Sequence, residues 1–346
     1  MTSSDELYMR RALELARLGS GYTSPNPMVG CVIVYDGKII GEGWHKQYGE
    51  PHAEVNAVAA VTDKSLLAKS KVYVTLEPCS HFGRTPPCAD LLISHGVKDI
   101  IICNTDPNPV VAGRGIKKLM DTGARVQTGV LEDEGFKLNK RFFAFHNLKR
   151  PYITLKWAET ADGFIAGANY KQHKISGVAA QRLVHKYRAQ ESAIMVGART
   201  VLHDNPRLNT RCWTGNHPTR IVIDRQLQLP DHLHLFDKSQ LTLVYNYKKQ
   251  EQPDDNLLFM QLNEQEPLLQ QLLQDLHQRN VLSVMVEGGT YLLESLLQEN
   301  LWDEALVLRN TSKILGEGIK APAFIHGHLQ EVQTLDNDLL FHYRNN

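Results

Sequence analysis

Val72-Tyr73-Val74-Thr75-Leu76-Glu77-Pro78-Cys79-Ser80-His81-Phe82-Gly83-Arg84-Thr85-Pro86-Pro87-Cys88 decides how the first half of the chain is read. Val72 to Leu76 is an apolar, β-branched run of strand type, closed by Pro78, which has no N–H for a ladder. Ala89 to His95 has helical composition. Upstream, His52 to Val61 is a second helical stretch. Before it, Met28–Tyr35 and Lys38–Gly43 read as strands joined by Asp36-Gly37, a two-residue hairpin turn in which Gly accepts positive φ. Leu7, Ala12, Leu15 and Leu18 give Asp5–Leu18 helical spacing. Downstream, Asp99–Cys103 and Arg125–Val130 are strands around a helix at Gly115–Asp121. Strands alternating with helices imply an α/β layered domain.

The same stretch carries chemistry. His52-Ala53-Glu54, then Pro78-Cys79, then Cys88 supply one His and two Cys. A catalytic zinc takes three protein ligands and keeps a fourth position for water. Both ligand groups fall near helix starts, where the dipole favours thiolate. Glu54, two residues from His52, sits beside the metal without ligating it and is placed to move a proton from water to a leaving amine. His-x-Glu followed by Pro-Cys and a second Cys is the pattern of the zinc deaminases. A structural zinc site would need a fourth ligand, such as His81 or His45, and would leave Glu54 and Pro78 without a role. Cys31 and Cys103 read as buried apolar residues, and Cys212 has no evident partner.

Composition limits the function classes. The 346 residues suggest two domains. Lys+Arg and Asp+Glu are both 38, so the basic excess of a nucleic-acid binder is missing. No apolar run is long enough for a membrane helix. The polar, acidic start Met1–Glu6 lacks the layout of a secretory signal, and a cytoplasmic protein is expected. Five cysteines do not make a disulfide framework.

A charged helix is expected from Leu131 to about Asn147, ending in Lys149-Arg150-Pro151, with the domain boundary there: residues 1–147 and 151–346. Beyond it, strands are expected at Tyr152–Trp157, Ser192–Val196, Thr219–Asp224, Leu241–Tyr245 and Val281–Val286. Helices are expected around Leu268–Leu276 and over Thr290–Gln298, and Gln250–Glu266 reads as a surface loop. Glu287-Gly288-Gly289 before a helix fits either an anion site or an ordinary strand-to-helix turn. No Gly-x-Gly-x-x-Gly follows a strand.

Eight residues separate Cys79 from Cys88, where nucleoside and tRNA deaminases have two. That insert, with Thr23–Gly30, Gly49–Glu54 and Asp106-Pro107-Asn108-Pro109, closely resembles the bifunctional pyrimidine deaminase/reductases of bacterial riboflavin biosynthesis. The resemblance runs over nearly the whole chain. It implies a cytidine-deaminase-like α/β/α sandwich followed by a dihydrofolate-reductase-like α/β domain. It implies zinc on His52, Cys79 and Cys88, with Glu54 as proton shuttle. The implied reaction is deamination of 2,5-diamino-6-ribosylamino-4(3H)-pyrimidinone 5′-phosphate. By the same matching, Asn26 and His45 contact the ring, Arg84 lies near the substrate, and Asp106 and Asn108 hold the ribose phosphate. Asn108 between prolines also suits a plain turn.

In the second half the resemblance rests on Pro151–Lys156, Ala161-Asp162-Gly163, Arg188-Ala189-Gln190, Gly197–Leu208, Arg220–Asp224 and Val286–Gly289. It implies NADPH-dependent reduction of the ribosyl group to ribityl. Ala158, Thr200 and Asp204 then line the cofactor, and Gly289, Thr290, Tyr291, Leu292, Leu293, Glu294 and Ser295 hold its phosphates. Gln172, Arg188, Leu208, Arg211 and Glu287 contact the substrate, the arginines pairing with its phosphate. Arg225 is the candidate partner of the cofactor's 2′-phosphate. Asp204-Asn205-Pro206 also reads as a turn. Lys174 stands, on the cofactor side, where many relatives carry Trp. The family implication is a homo-oligomer, dimer or tetramer, acting on a small molecule. Two other readings are open: a tRNA-type zinc deaminase with a C-terminal recognition module, and a non-catalytic scaffold. Zero net charge and 8% aromatics disfavour the first. Intact His52, Glu54, Cys79 and Cys88 disfavour the second.

Overall fold

Asp36 and Gly37, at φ 47° and 72°, form the tight turn that the first hairpin requires. The computed structural model describes residues 4–80, 86–109, 111–323 and 327–345, and the chain divides into two compact units, Met1–Leu148 and Lys149–Asn346.

The first unit runs α1 (Ser4–Arg17), β1 (Gly30–Tyr35), β2 (Lys38–Trp44), α2 (Ala53–Ala60), β3 (Lys71–Leu76), α3 (Cys88–Ser94), β4 (Asp99–Asn104), α4 (Arg114–Asp121), β5 (Arg125–Thr128), α5 (Glu132–Leu138) and α6 (Lys140–Leu148). Among the described residues the sheet order is β2-β1-β3-β4-β5, with β3, β4 and β5 parallel. The pleat sends alternate residues of β1 to opposite faces. Val32 and Val34 pack on Met9, Leu13 and Ala12 of α1. Cys31 and Ile33 pack on Ala53, Ala57 and Val58 of α2. Both faces are thus covered, which makes a three-layer α/β/α sandwich. The approach of α2 to β2 needs Gly43: an added Cβ would lie 2.3 Å from the Ala57 nitrogen and 2.5 Å from the Ala53 oxygen. That close seat fixes the helix whose first turn carries Glu54.

The single helix expected over 131–147 is interrupted at Asn139. Its amide accepts from the Met28 N–H at 2.9 Å and donates to the Met28 carbonyl at 2.8 Å, tying the α5–α6 junction to the loop that enters β1. A buried Asn that satisfies a foreign peptide group outweighs the helical composition around it.

The second unit runs β6 (Tyr152–Glu159), β7 (Phe164–Ala166), α7 (Val178–Gln190), β8 (Ala193–Gly197), α8 (Ala198–Asp204), β9 (Thr219–Ile223), β10 (Thr242–Asn246), β11 (Glu251–Asp254), β12 (Leu257–Gln261), α9 (Leu268–Gln278), β13 (Ser283–Val286), α10 (Thr290–Gln298), β14 (Glu304–Asn310), β15 (Ile319–Lys320), β16 (His328–Leu335) and β17 (Asp338–Arg344). Its main sheet has the order β11-β12-β10-β9-β8-β13-β6-β14-β17-β16 among the described residues. The strands from β12 to β14 are parallel, and β11, β17 and β16 are antiparallel additions at the edges. Leu272, Leu276, Leu293 and Leu296 of α9 and α10 fill the core on one face. Val201 and Leu208 pack on the other, against Ile194, Val222 and Val244.

One sequence expectation is overturned here. Residues 250–266 are not a surface loop. They contain the β11–β12 hairpin, and β12 adds in parallel to β10 with Leu257 and Met260 buried. The short run Leu257–Met260 was obscured by its polar flanks. Pro253 lies in the outermost strand, where a missing N–H costs no ladder bond.

Candidate active sites

In the first unit, three separate elements deliver the side chains that could hold a metal. His52 is the residue capping the start of α2, Cys79 follows the end of β3, and Cys88 is the first residue of α3. His52 Nδ1 lies 3.6 Å from Cys79 Sγ and 3.3 Å from Cys88 Sγ. All three donor atoms fall within 4.8 Å of one another, and they form the His/Cys/Asp/Glu cluster of metal-binding type among the described residues. Zinc with its usual bond lengths in a tetrahedron separates N and S ligands by about 3.6 Å, so the cluster fits the ion.

The charges suit it as well. A hydrogen bond with the Cys88 thiol draws the Cys79 thiol well below its ordinary pKa, with further help from His52 and the Cys88 N–H, which lies 3.3 Å from Cys79 Sγ. Glu54 is buried beside them, and burial, then the Cys79 charge, push its carboxyl up to about 7. His45 presents an edge to the His52 ring, with centroids 5.4 Å apart. Its Nδ1 lies 3.2 Å from the Pro51 carbonyl, and its Nε2 lies 3.1 Å from Asn26 Nδ2. This network assigns the proton to Nδ1 and leaves Nε2 to accept from Asn26. Burial lowers the His45 pKa.

A cavity of about 300 Å³ brings Asn26, His45, His52, Glu54, Asp106 and Asn108 together. Burial pushes the Asp106 carboxyl up to about 6, against the Asn108 N–H it accepts at 2.8 Å. That bond makes the turn foreseen for Asn108, and the residue lines the cavity too. Arg84 lies outside the described residues. Cys31 and Cys103 are buried in the core as expected, and Cys212 is exposed. Glu77, two residues before Cys79, is buried and accepts the Asp106 N–H at 3.3 Å.

In the second unit a cavity of about 1660 Å³ opens at the carboxyl ends of the parallel strands. Ligands of open α/β sheets bind at such ends. Ala158, Gln172, Lys174, Thr200, Asp204 and Arg225 line it, as do Arg188, Leu208, Arg211 and Glu287. Gly289, Thr290, Tyr291, Leu292, Glu294 and Ser295 line it from the start of α10. Leu293 does not: it is fully buried in the core, because the helical period turns its side chain to the sheet. The Gly289 N–H donates to Thr200 Oγ1 at 2.8 Å, joining the β13–α10 turn to α8. Asn205, at φ 39°, ends α8 in the left-handed region, so Asp204-Asn205-Pro206 forms a turn while Asp204 also lines the cavity. Burial raises the Asp204 carboxyl above its ordinary value.

Arg188 lines the cavity with its charge already paired. Its Nε and Nη2 donate to the two oxygens of Glu287 at 2.7 and 2.8 Å, and its Nη1 donates to the Asn209 carbonyl at 3.1 Å. The two-point edge expected to grip a phosphate is therefore already engaged. Burial would raise the Glu287 carboxyl, but Arg188 and Lys156 outweigh it and hold it at about 2. Lys156 Nζ lies 3.6 Å from Glu287 and is a cavity residue that the sequence reading did not single out. Tyr170 and His203, stacked at 4.6 Å on the cavity wall, were missed as well. Neither ring carries a spacing signal, since 33 positions separate them along the chain. Arg211 is exposed, and its N–H donates to His185 Nδ1 at 3.3 Å.

Residues 2–104 match the family model described as the cytidine and deoxycytidylate deaminase zinc-binding region, and residues 151–341 match the RibD C-terminal domain. The riboflavin biosynthesis protein RibD of Actinobacillus pleuropneumoniae is 40% identical over 99% of this chain and 96% of its own length. That of Escherichia coli K12 is 38% identical over 93% and 92%. The solved structure of Acinetobacter baumannii RibD, form 2, superposes with a TM-score of 0.92 at 35% identity over 99% of both chains. A diaminohydroxyphosphoribosylaminopyrimidine deaminase/5-amino-6-(5-phosphoribosylamino)uracil reductase from Thermotoga maritima superposes with a TM-score of 0.88 at 34% identity, again over 99% of both. With both halves matched in order and over nearly full length, the chain belongs to the RibD family of riboflavin biosynthesis enzymes, with a cytidine-deaminase-like unit followed by a dihydrofolate-reductase-like one.

Proposed function

We propose that the first cavity deaminates 2,5-diamino-6-ribosylamino-4(3H)-pyrimidinone 5′-phosphate and that the second reduces the ribosyl chain of the product to ribityl with NADPH. The observation that carries the reading is the pairing of the His52–Cys79–Cys88 cluster with a buried carboxyl, Glu54, held near neutrality in the same cavity. A zinc ion on these three ligands supplies Lewis-acid activation of water. Glu54 does the proton work. Its carboxylate takes a proton from the attacking water, and the resulting acid gives it to the ring amino group, which leaves as ammonia. A buried carboxyl raised from its ordinary value is suited to both directions. Asn26 and His45, locked to each other, orient the pyrimidine ring, and the Asp106–Asn108 turn faces the ribose phosphate.

The second cavity is larger than the roughly 300–1,000 Å³ of a single small-ligand pocket, which suits a dinucleotide and a substrate together. NADPH supplies the hydride there. The amides that follow Gly289 at the start of α10 suit its pyrophosphate, and Arg225, just past β9, suits its 2′-phosphate. Arg211 is the arginine for the substrate phosphate, because Glu287 already holds Arg188. Asp204 orients the sugar hydroxyls. The substrate is a small molecule and not a nucleic acid. Among the described residues no helix is long and apolar enough to cross a membrane. The enzyme works in the cytoplasm as a homo-oligomer.

Glu54→Gln tests the first step. The isosteric amide keeps the fold and the metal ligands but cannot carry the proton. Deamination should fall by roughly 10²- to 10⁴-fold with zinc retained and the reductase unaffected. Retention of more than about a tenth of the activity would contradict the assignment.

A further inference from the structure

Glu77 stands between β3 and Pro78-Cys79, and no step described above uses it. Its side chain is buried, at 4% exposure. Oε1 accepts the N–H groups of Gly115 and Ile116 at 3.0 and 3.2 Å. Oε2 accepts those of Gly113 and Asp106 at 3.0 and 3.3 Å. One carboxyl group therefore receives four backbone donors. They come from Asp106, just after β4, from Gly113, which precedes α4, and from Gly115 and Ile116 in its first turn. The backbone joins in, since the Glu77 N–H donates to the Asn104 carbonyl at 3.0 Å. Gly115 presses on the next residue along: an added Cβ would lie 2.0 Å from the Pro78 oxygen.

Two consequences follow. The first amides of α4, the donors a helix start would offer to an external anion, are already engaged by a group from the chain itself. The substrate phosphate is thus not held by these amides. Second, the loop that carries Asp106 and Asn108 is bound to the turn that carries a metal ligand.

We propose that Glu77 is a positioning residue of the deaminase: it locks Asp106 and the start of α4 to the Cys79 turn, so that Asp106 and Asn108 stand at a fixed distance from the metal cluster. The identity of the ligand rests on the function proposed above; the lock itself does not. Glu77→Gln replaces one acceptor oxygen by an NH₂ group. In either orientation that group faces two N–H donors, and two buried amides lose their partner.

The test measures zinc content, steady-state deamination and NADPH oxidation for the wild type and Glu77→Gln. With zinc and reductase activity unchanged, KM for the pyrimidine ribosylphosphate should rise roughly tenfold or more while kcat falls less than about threefold. A KM within about twofold of wild type would overturn the proposal. Should the variant lose zinc or fail to fold, hydrogen exchange on the unaltered, ligand-free protein decides. The Gly113, Gly115 and Ile116 amides should exchange as slowly as those of β3 and β4. Exchange at open-loop rates overturns the lock. If the wild type turns over no pyrimidine substrate, the proposed function fails, and the exchange pattern still judges Glu77.

Discussion

Arg188 and Glu287 form a two-point ion pair, 2.7 and 2.8 Å between paired atoms, with side chains only 11% and 8% exposed. The pair sits on the wall of the larger cavity of the second unit, with the charge of Arg188 already matched. Arg211, on the same wall, is exposed, and no carboxylate among the described residues pairs with it.

The two arginines should therefore respond differently to substitution. Arg188→Ala leaves the buried Glu287 carboxylate beside Lys156 and His185 without its two-point partner and should destabilise the second unit by about 3–5 kcal/mol. Arg211→Ala should leave the melting temperature nearly unchanged and raise KM for the reductase substrate by roughly tenfold or more. Thermal melts and steady-state kinetics on both variants check this. Equal stability of the two variants would refute it.

The pair also sets a pH dependence. Glu287 is held at about 2 in the fold, against roughly 4.3 in an unfolded chain. A depressed carboxyl pKa contributes stability that is fully present above the unfolded value and is lost as pH falls through the folded one. Stability should thus drop between about pH 4.3 and 2, and Glu287→Gln should flatten that slope. Asp237, which Arg220 and Ser239 bring to about 2 despite its desolvation, contributes in the same window and remains in the variant. Urea midpoints across the range measure the difference; parallel slopes would show that Glu287 has no such role.

Arg225 follows Asp224 at the end of β9 and lines the cavity. Arg225→Ala should raise KM for NADPH by roughly tenfold while leaving KM for NADH unchanged, since only NADPH carries the 2′-phosphate. An equal effect on both cofactors would move the phosphate contact elsewhere.

The metal cluster was legible because its residue types and order have few other uses. His52, Glu54, Cys79 and Cys88 lie on three elements, and the sequence shows each of those elements by composition alone. The β1–β2 hairpin was legible for a similar reason, since Asp36-Gly37 specifies its own turn. The second cavity was read largely through resemblance. Its parts lie at the ends of β6, β8, β9 and β13, and no local spacing announces that these ends converge. Tertiary partners explain the rest. Asn139 breaks a helix because Met28 offers a peptide group to bond. Arg188 is neutralised by a residue 99 positions away. Leu293 faces the core because of where α10 lies on the sheet. The hairpin over 251–261 has its apolar residues in a run too short to stand out from polar neighbours.

The most direct test of the account is product mass spectrometry on the purified, zinc-loaded protein given the diaminopyrimidinone ribosylphosphate, with and without NADPH. The account predicts the deaminated product alone without NADPH and its form carrying two more hydrogens with it. Recovery of unchanged substrate from protein with zinc bound would contradict the account.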